Sequence, residues 1–410
     1  MSARPGTPPW FTLSALSAVY LVWGAIASLN DLLIPYLKEE FGLDFGGAMR
    51  VQLVFYMAYF LLSIPCGMLA RRFGYRNGVM TGLGIAFLGC LAMMASSRIG
   101  SYTVVLAALF VLASGITMLQ VSANPFATSL GTDRTAPSRL TMVQSFHSLG
   151  TTIGPWLGAV LIFSVAATVV GGQPGQAIWL PYALLAAGLT VLTLLFSRIQ
   201  TENAAEMPPE GAFNPVRLLR SNKLLLPGTL GIFCYVGAEI AIASLLINYL
   251  VRPEVANLEY GSAGKLVSVY WGCALVGRFV GIVLLRVFEP RRLLMAWAML
   301  AALLLATSIS TTGPLAAATI LLIGFFNSIM FPTIFALTLG RSSREDAPGA
   351  SGVLCLGIVG GAVISQLQGY LADATGLRLS FLLPLACYLY IVLLAALILK
   401  PEPIPVSLPE

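Results

Sequence analysis

Charge is scarce in this 410-residue sequence. Asp, Glu, Lys and Arg together make up 10% of the residues, whereas about 25% is usual in soluble globular proteins. Hydrophobic residues account for 58%, and the mean hydropathy is +0.87. A chain of this length would form two or three soluble domains, and so few charges could not cover them. The composition therefore excludes an ordinary soluble protein.

Residues that build metal and catalytic sites are also few. The chain has one histidine, His147, and six cysteines. No His, Cys and carboxylate residues stand at metal-ligand spacing, and the chain has no nucleophile elbow and no lysine-bearing phosphate loop. We therefore expect no enzyme and no cofactor. The cysteines stand at isolated positions in apolar segments, which is typical of small buried residues and not of disulfides.

Long apolar runs, in contrast, are abundant. A hydrocarbon core about 30 Å thick needs about 20 apolar residues per helix, because every backbone amide must be satisfied within the segment. The sequence therefore predicts an all-α integral membrane protein with twelve transmembrane helices. The twelve runs cover approximately residues 11–37, 49–70, 77–96, 102–130, 140–165, 178–199, 225–250, 262–288, 291–310, 314–340, 349–373 and 378–400.

The distribution of charge indicates a membrane topology. The net charge of +6 could suggest a nucleic-acid partner, but most of the 23 lysines and arginines fall in turns on one side of the predicted bundle. This is the positive-inside bias of cytoplasmic loops. We expect a multi-pass monomer in the lipid bilayer of the inner (plasma) membrane, with both termini in the cytoplasm and no nucleic-acid partner.

Short motifs recur after about half of the chain. Segment 125–131 has a counterpart at 332–340, and two arginines recur at a similar offset of about 210 residues. The arginine pairs are Arg71 with Arg286 and Arg76 with Arg291.

A parallel repeat of this kind predicts two halves with a substrate site between them at the midplane. We divide the chain into a six-helix half at 1–199, a cytoplasmic linker at 200–222 and a second six-helix half at 223–410. The linker is expected to contain a short helix near Pro215.

Amide side chains on the fourth and fifth runs are the main functional signal. Gln120 and Asn124 are four residues apart on one helix, and Gln144 and His147 are three apart on the next, so each pair shares a helix face. An amide buried without a partner is unfavourable. The two faces would therefore satisfy each other or bind a sugar, whose hydroxyls both donate and accept hydrogen bonds. His147 could contact the sugar or relay a proton.

The second half carries two further amides, Asn248 and Asn327, within its apolar runs. We assign both to sugar binding, with interhelical hydrogen bonding as the alternative.

Carboxylates inside apolar runs are rare and usually functional. Asp31, next to Asn30, lies in the first run, and Glu239 lies in the seventh. We assign these three residues to cation coupling, through a proton on a carboxylate or through a sodium ion bound by Asp31 and the amide oxygen of Asn30. Arg278, inside the eighth run, is interpreted as a structural partner for a carboxylate.

Six short motifs follow one another in the apolar runs: Asn30-Asp31 with Pro35, Ala123–Phe126, Gln144–Ser148, Phe233–Glu239, Gly277–Phe279 and Pro332–Phe335. In this order they resemble the fucose–galactose–glucose symporter branch of the major facilitator superfamily. The loop at 67–74 also resembles the inner-loop signature of that superfamily, but Arg71 stands where the signature has Asp.

The resemblance implies a twelve-helix permease that carries a hexose with a proton or sodium ion by alternating access. In the fucose permease type, a glutamate stands at the position of Gln120 and an asparagine at that of His147. The chain is therefore more similar to the glucose/galactose members. Two other functions stay open: a drug/proton antiporter of the same fold and a membrane sugar sensor that does not transport.

Overall fold

The computed structural model describes residues 8–43, 45–159, 179–199 and 215–398, and every regular element in these ranges is helical. The helices before the linker are α1 Pro9–Glu40, α2 Phe45–Ile99, α3 Tyr102–Ser129, α4 Ala136–Ala159 and α5 Trp179–Ser197. The helices after it are α6 Pro215–Ser221, α7 Leu225–Leu250, α8 Tyr260–Val287, α9 Pro290–Ser310, α10 Gly313–Asn327, α11 Met330–Leu339, α12 Ala347–Leu356, α13 Gly360–Thr375, α14 Leu377–Ser380 and α15 Leu382–Leu393.

Ten helical segments within the described ranges are long and apolar enough to cross a membrane. The prediction of an all-helical fold is therefore confirmed, while the count of twelve transmembrane helices stays a prediction. The short helix expected near Pro215 is present as α6, while 200–214 of the predicted linker lies outside the described residues.

Two of the long helical segments are interrupted for identifiable reasons. In α2, Gly74 has φ 80° and ψ 163°, a backbone conformation that only glycine adopts readily. Between α10 and α11, the helix breaks at Ser328 and Ile329. Pro332 explains this second break, because its ring clashes with the carbonyl of the residue four positions earlier.

The repeated arginines Arg76 and Arg291 bind the ends of the last helices in the two parts of the chain. Arg76 donates from Nη2 to the carbonyl oxygen of Ser197 at 2.7 Å. Arg291 donates from Nη1 to the carbonyl oxygen of Ala395 at 3.3 Å. A cation near a helix C-terminus satisfies carbonyls that have no partner in the helix. The two arginines thus bind C-terminal helix carbonyls at corresponding positions of the repeat.

The parts of the chain before and after the linker pack together through α2 with α12 and α4 with α8. A Cβ on Gly67 of α2 would lie 2.9 Å from the carbonyl oxygen of Pro348 and 3.2 Å from the Cα of Gly352. The two helices therefore approach with their backbones almost in contact. We call the end of the bundle that carries the turns at Arg71, Arg134 and Arg286 the arginine-rich end.

Two of the repeated arginines reach across at the arginine-rich end. Arg71 Nη2 lies 3.1 Å from Glu345 Oε1, and Arg286 Nε donates to Ser138 Oγ at 3.3 Å. Ser138 Oγ in turn donates to the carbonyl oxygen of Ile282 at 2.8 Å. Arg71 and Arg286, which occupy the same position of the repeat, thus each contact the other part of the chain.

We predict opposite effects of alanine at two glycines of α2. Gly74→Ala should destabilise the protein by about 1–3 kcal/mol, because the backbone there is strained for any residue with a Cβ. Gly84→Ala should stabilise it by about 0.5–1 kcal/mol, because Gly84 is helical with nothing within 4 Å of an added Cβ. Thermal unfolding in detergent measures both, and equal midpoints for the two variants would contradict the assignment of the break to Gly74.

Candidate functional site

The first polar cluster joins α1, α3 and α4. Asn124 on α3 is fully buried, and its Oδ1 accepts a hydrogen bond from the hydroxyl of Tyr20 on α1. The Trp23 ring lies 5.0 Å from that of Tyr20 and 4.8 Å, edge-on, from that of His147. An aromatic row therefore runs from the Asn124 amide to the single histidine.

Close helix packing brings His147 against α1. A Cβ on Gly24 would overlap the carbonyl oxygen of His147, and a Cβ on Gly150 would overlap that of Leu21. Glycines at these crossing points let the α1 and α4 backbones touch. The side chains of Trp23 and His147 then meet directly.

Gln120 and Gln144 have largely buried side chains without a described partner. Their exposed fractions are 6% and 7%, and neither side-chain amide makes a hydrogen bond to any other described residue. The Nδ2 of Asn124 is itself fully buried and donates to no described acceptor. A buried amide donor without a partner is unfavourable. A ligand with several hydroxyls would accept from Asn124 and would bond to the two glutamines.

Asn327 differs from these residues because both ends of its amide are satisfied. Its Nδ2 donates to the Tyr270 hydroxyl at 2.8 Å, and its Oδ1 accepts from the Tyr388 hydroxyl at 2.8 Å. Asn327 thus ties α10 to α8 and α15. Its predicted role in sugar binding would require a sugar to enter this network, and it stays a prediction.

Three tyrosines were missing from the sequence-based site: Tyr20, Tyr270 and Tyr388. All three are fully or almost fully buried. A signal for them existed, because a tyrosine deep in an apolar helix usually has a hydrogen-bond partner for its hydroxyl. The sequence does not say which amide that partner is.

Glu239 is buried on α7, with an exposed fraction of 8%. Tyr235, one turn earlier, interacts with its carboxylate, and the charge of Arg278 acts on it. Glu239 nevertheless forms no ion pair with the residues that the structure describes. Arg278 points to α4 instead, where Nη1 donates to the carbonyl oxygen of Gln144 at 2.7 Å and to Ser148 Oγ. The structure thus differs from the interpretation of Arg278 as a partner held by a carboxylate.

The remaining predicted site residues are not part of either cluster. Asn248 is exposed, two residues before the end of α7. Asn30 and Asp31 fall within α1, but their side chains lie outside the described residues. Within the described part of the chain, no three His, Cys, Asp or Glu side chains come together as a metal site.

The arrangement can bind a neutral polar molecule. Gln120, Asn124 and Gln144 offer amide donors and acceptors, and the Trp23–His147 pair offers an apolar ring surface. Pockets for small ligands combine a few placed polar groups with apolar and aromatic walls in this way. Arg278 adds a positive charge at the boundary between the two parts of the chain.

Comparisons with known proteins agree along nearly the whole chain. The Major Facilitator Superfamily model matches residues 15–354. A Glucose/galactose transporter of Brucella abortus biovar 1 (strain 9-941) is 44% identical over 93% of this chain and 92% of the relative. The L-fucose-proton symporter of Escherichia coli (strain K12) is 31% identical over 93% and 91%. A crystal structure of FucP in the outward conformation covers 94% of this chain and 97% of its own, with a TM-score of 0.83 and 29% identity.

We predict that Tyr388→Phe lowers stability by about 1–3 kcal/mol, because it leaves Asn327 Oδ1 buried without a donor. Tyr370→Phe is the matched control, since Tyr370 is 64% exposed and its loss should be nearly neutral. Thermal unfolding of the two purified variants makes the comparison. If Tyr388→Phe unfolds at the wild-type temperature, Asn327 is not held by this tyrosine.

Proposed function

The chain belongs to the Major Facilitator Superfamily, and we propose that it is a secondary active transporter that carries a hexose such as glucose or galactose together with a cation. Its relatives are sugar transporters and not enzymes, so the expectation of a non-enzyme is confirmed. Its apolar helices and its family make it a multi-pass membrane protein. The resemblance found in the sequence motifs is confirmed.

One observation carries the sugar assignment: the amides of Gln120, Asn124 and Gln144 on α3 and α4 keep hydrogen-bonding groups without a described partner, and the Nδ2 of Asn124 is fully buried. We assign sugar binding to Gln120, Asn124, Gln144 and His147. Such amides would discriminate strongly for hydroxylated substrates, because a ligand without hydroxyls leaves them unpaired. The same reasoning disfavours the drug antiporter, whose apolar ligands would not satisfy three amides.

The topology that fits this function has twelve membrane-spanning helices in two six-helix repeats. The ten apolar segments become twelve spans if α2 is counted as two helices that meet at Gly74 and if α4 is added. The matched cap contacts of Arg76 and Arg291 support the repeat. We place the arginine-rich end and both termini in the cytoplasm, at the inner membrane.

Alternating access is the mechanism we propose. The contacts of Arg71 with Glu345 and of Gly67 with Gly352 hold the two halves together at the arginine-rich end. The similarity to FucP in the outward conformation supports a site that is closed at that end. Opening it would require the α2–α12 and α4–α8 contacts to separate.

Cation coupling falls to Asp31, Asn30 and Glu239 in this proposal. A cation that neutralises a carboxylate removes a charge that is costly inside a low-dielectric bundle. We favour the proton, because a relative is a proton symporter. Sodium is the alternative, with Asp31 and Asn30 as its ligands.

Uptake by purified protein in proteoliposomes tests the function. We expect labelled glucose or galactose to accumulate against its gradient when a cation gradient is imposed, and not in protein-free liposomes. Sugar binding without uptake would favour the sensor. Export of lipophilic cations without sugar uptake would favour the drug antiporter.

We predict that Gln120→Ala weakens glucose or galactose binding by roughly 5- to 150-fold, because loss of a paired buried amide costs about 1–3 kcal/mol. Ser114→Ala on the same helix is the control. The Ser114 hydroxyl donates to the Phe110 carbonyl oxygen at 2.6 Å, so its loss should leave affinity unchanged. Calorimetric titration of folded protein provides the affinities, and wild-type affinity in Gln120→Ala would assign Gln120 to packing.

We predict that Asp31→Asn abolishes uphill accumulation while sugar exchange across the membrane continues. Asparagine carries no charge for the cation to neutralise, so the cation gradient can no longer drive the cycle. Asp133→Asn, an exposed carboxylate in the turn before α4, should accumulate sugar normally. Counterflow and gradient-driven uptake measure the two activities. Uptake that survives a protonophore but fails when choline replaces sodium would identify sodium as the ion. Accumulation by Asp31→Asn would refute its coupling role.

A further inference from the structure

Arg278 joins the two halves of the bundle at the candidate site. It lies on α8, in the second half, and its Nη1 donates to the carbonyl oxygen of Gln144 at 2.7 Å and to Ser148 Oγ on α4 of the first half. Gln144 and Ser148 are one helical turn apart, and His147 lies between them in sequence. The guanidinium therefore holds the turn of α4 that carries two proposed sugar ligands.

The packing of α8 fixes the direction in which Arg278 leaves the helix. A Cβ on Gly277 would overlap the carbonyl oxygen of Phe325 and would lie 2.7 Å from Ser328 Oγ. Arg278 is about 100° further around the helix, so it lies on a different face from the one that packs on α10. Its side chain extends from that face to α4.

The contacts of Arg278 are incomplete. A guanidinium has five N–H donors, but its Nε is buried without an acceptor among the described residues. Glu239, on the neighbouring α7, is buried and forms no described ion pair. Its backbone carbonyl accepts a hydrogen bond from the Tyr270 hydroxyl of α8 at 3.4 Å, so α7 and α8 are in contact at this residue. Arg278 is half-buried, and the Nε–H that lacks a described acceptor could donate to this carboxylate in a second arrangement of the site.

The other described titratable groups that act on Glu239 are tyrosines. Tyr235 lies on its own helix, Tyr270 on α8 and Tyr388 on α15, and each interacts with it electrostatically. Tyrosine hydroxyls are neutral near pH 7. Of the described groups around this carboxylate, Arg278 is thus the charged one that responds to its ionisation.

We propose that Arg278 is a positioning residue that couples a cation at Glu239 to sugar binding on α4, an inference that rests on the proposed symport. With a cation on Glu239, the carboxylate is neutralised and Arg278 stays on Gln144 and Ser148, which holds the sugar-binding turn. Without the cation, ionised Glu239 attracts Arg278 away from α4. The cation therefore raises sugar affinity, and sugar raises cation affinity by the same factor.

The test is the ratio of the sugar Kd without cation to the Kd with cation. It is measured for galactose by calorimetry, at high against low pH and in choline against sodium. In Arg278→Gln and in Glu239→Gln the ratio should fall about five-fold or more. In the double variant the Kd ratio should be no lower than in either single variant, because both substitutions remove the same coupling between Glu239 and Arg278. Any part of the ratio that is due to Asp31 should remain in all three variants.

Two further variants separate coupling from packing. Arg278→Lys keeps the positive charge but loses the planar guanidinium, which can donate to two acceptors at once. Its Kd ratio should lie between those of the wild type and Arg278→Gln. It also serves if Arg278→Gln does not fold, as judged by size-exclusion elution and thermal unfolding. Ser148→Ala weakens the α4 contact, so its affinity should fall mainly in the absence of cation and the ratio should rise.

The outcomes distinguish this inference from the function it rests on. The coupling role would be overturned if the Kd ratio of Arg278→Gln equalled that of the wild type. It would also be overturned if the decreases of the ratio in the two single variants multiplied in the double variant. The transporter assignment would stand in both cases. Equal affinity losses with and without cation in every variant would reduce Arg278 to a structural contact. No galactose or glucose binding by the wild type would overturn the proposed function, and this inference with it.

Discussion

A polar side chain within an apolar bundle needs a hydrogen-bond partner, and this need organises the structure. With 10% charged residues and lipid as the surrounding medium, water satisfies few of the inner amides and charges. A second helix supplies several of the partners, as Tyr20 does for the Oδ1 of Asn124 and as Tyr270 and Tyr388 do for Asn327. Where amides of neighbouring helices keep groups without a partner, a ligand can supply one.

The amides of the candidate site differ from Asn327 in this respect. Asn327 has both ends of its amide bonded to tyrosines, which ties α10 to α8 and α15. Gln120 and Gln144 have no described partner, and the Nδ2 of Asn124 is buried without one. Other buried polar atoms without a described partner occur both before and after the linker, so a missing partner does not by itself mark a binding site. Under the proposed function the three amides of α3 and α4 would bind the sugar, and Arg278 brings a charge from α8 to the same turn of α4.

The helices could be predicted from the sequence because a membrane-spanning helix needs about 20 mostly apolar residues. A few polar residues within such a run do not mask the pattern. The sequence also identified the amides of α3 and α4, because helical spacing puts them on shared faces. It could not tell a satisfied amide from a free one. The partners of Asn327 lie 57 and 61 residues away in the chain, and only the helix arrangement brings them together. For the same reason Arg278 was matched with a carboxylate by charge, whereas a backbone carbonyl and a hydroxyl hold it.

The repeat positions Arg71 and Arg286 show how the arginine-rich end can close without locking. Each arginine crosses to the other part of the chain. Arg71 is 9% exposed, but its partner Glu345 is 40% exposed, and Arg286 meets the neutral Ser138. An ion pair whose carboxylate is exposed is partly screened by water and salt. Two buried ion pairs at these positions would hold the end shut whenever substrate is absent. A transporter needs two states within a few kcal/mol of each other, so that differential binding of substrate and cation can shift the population. In the proposed transporter, one ion pair with an exposed carboxylate and one hydrogen bond to a neutral hydroxyl at the arginine-rich end would leave that shift to the polar groups of the candidate site.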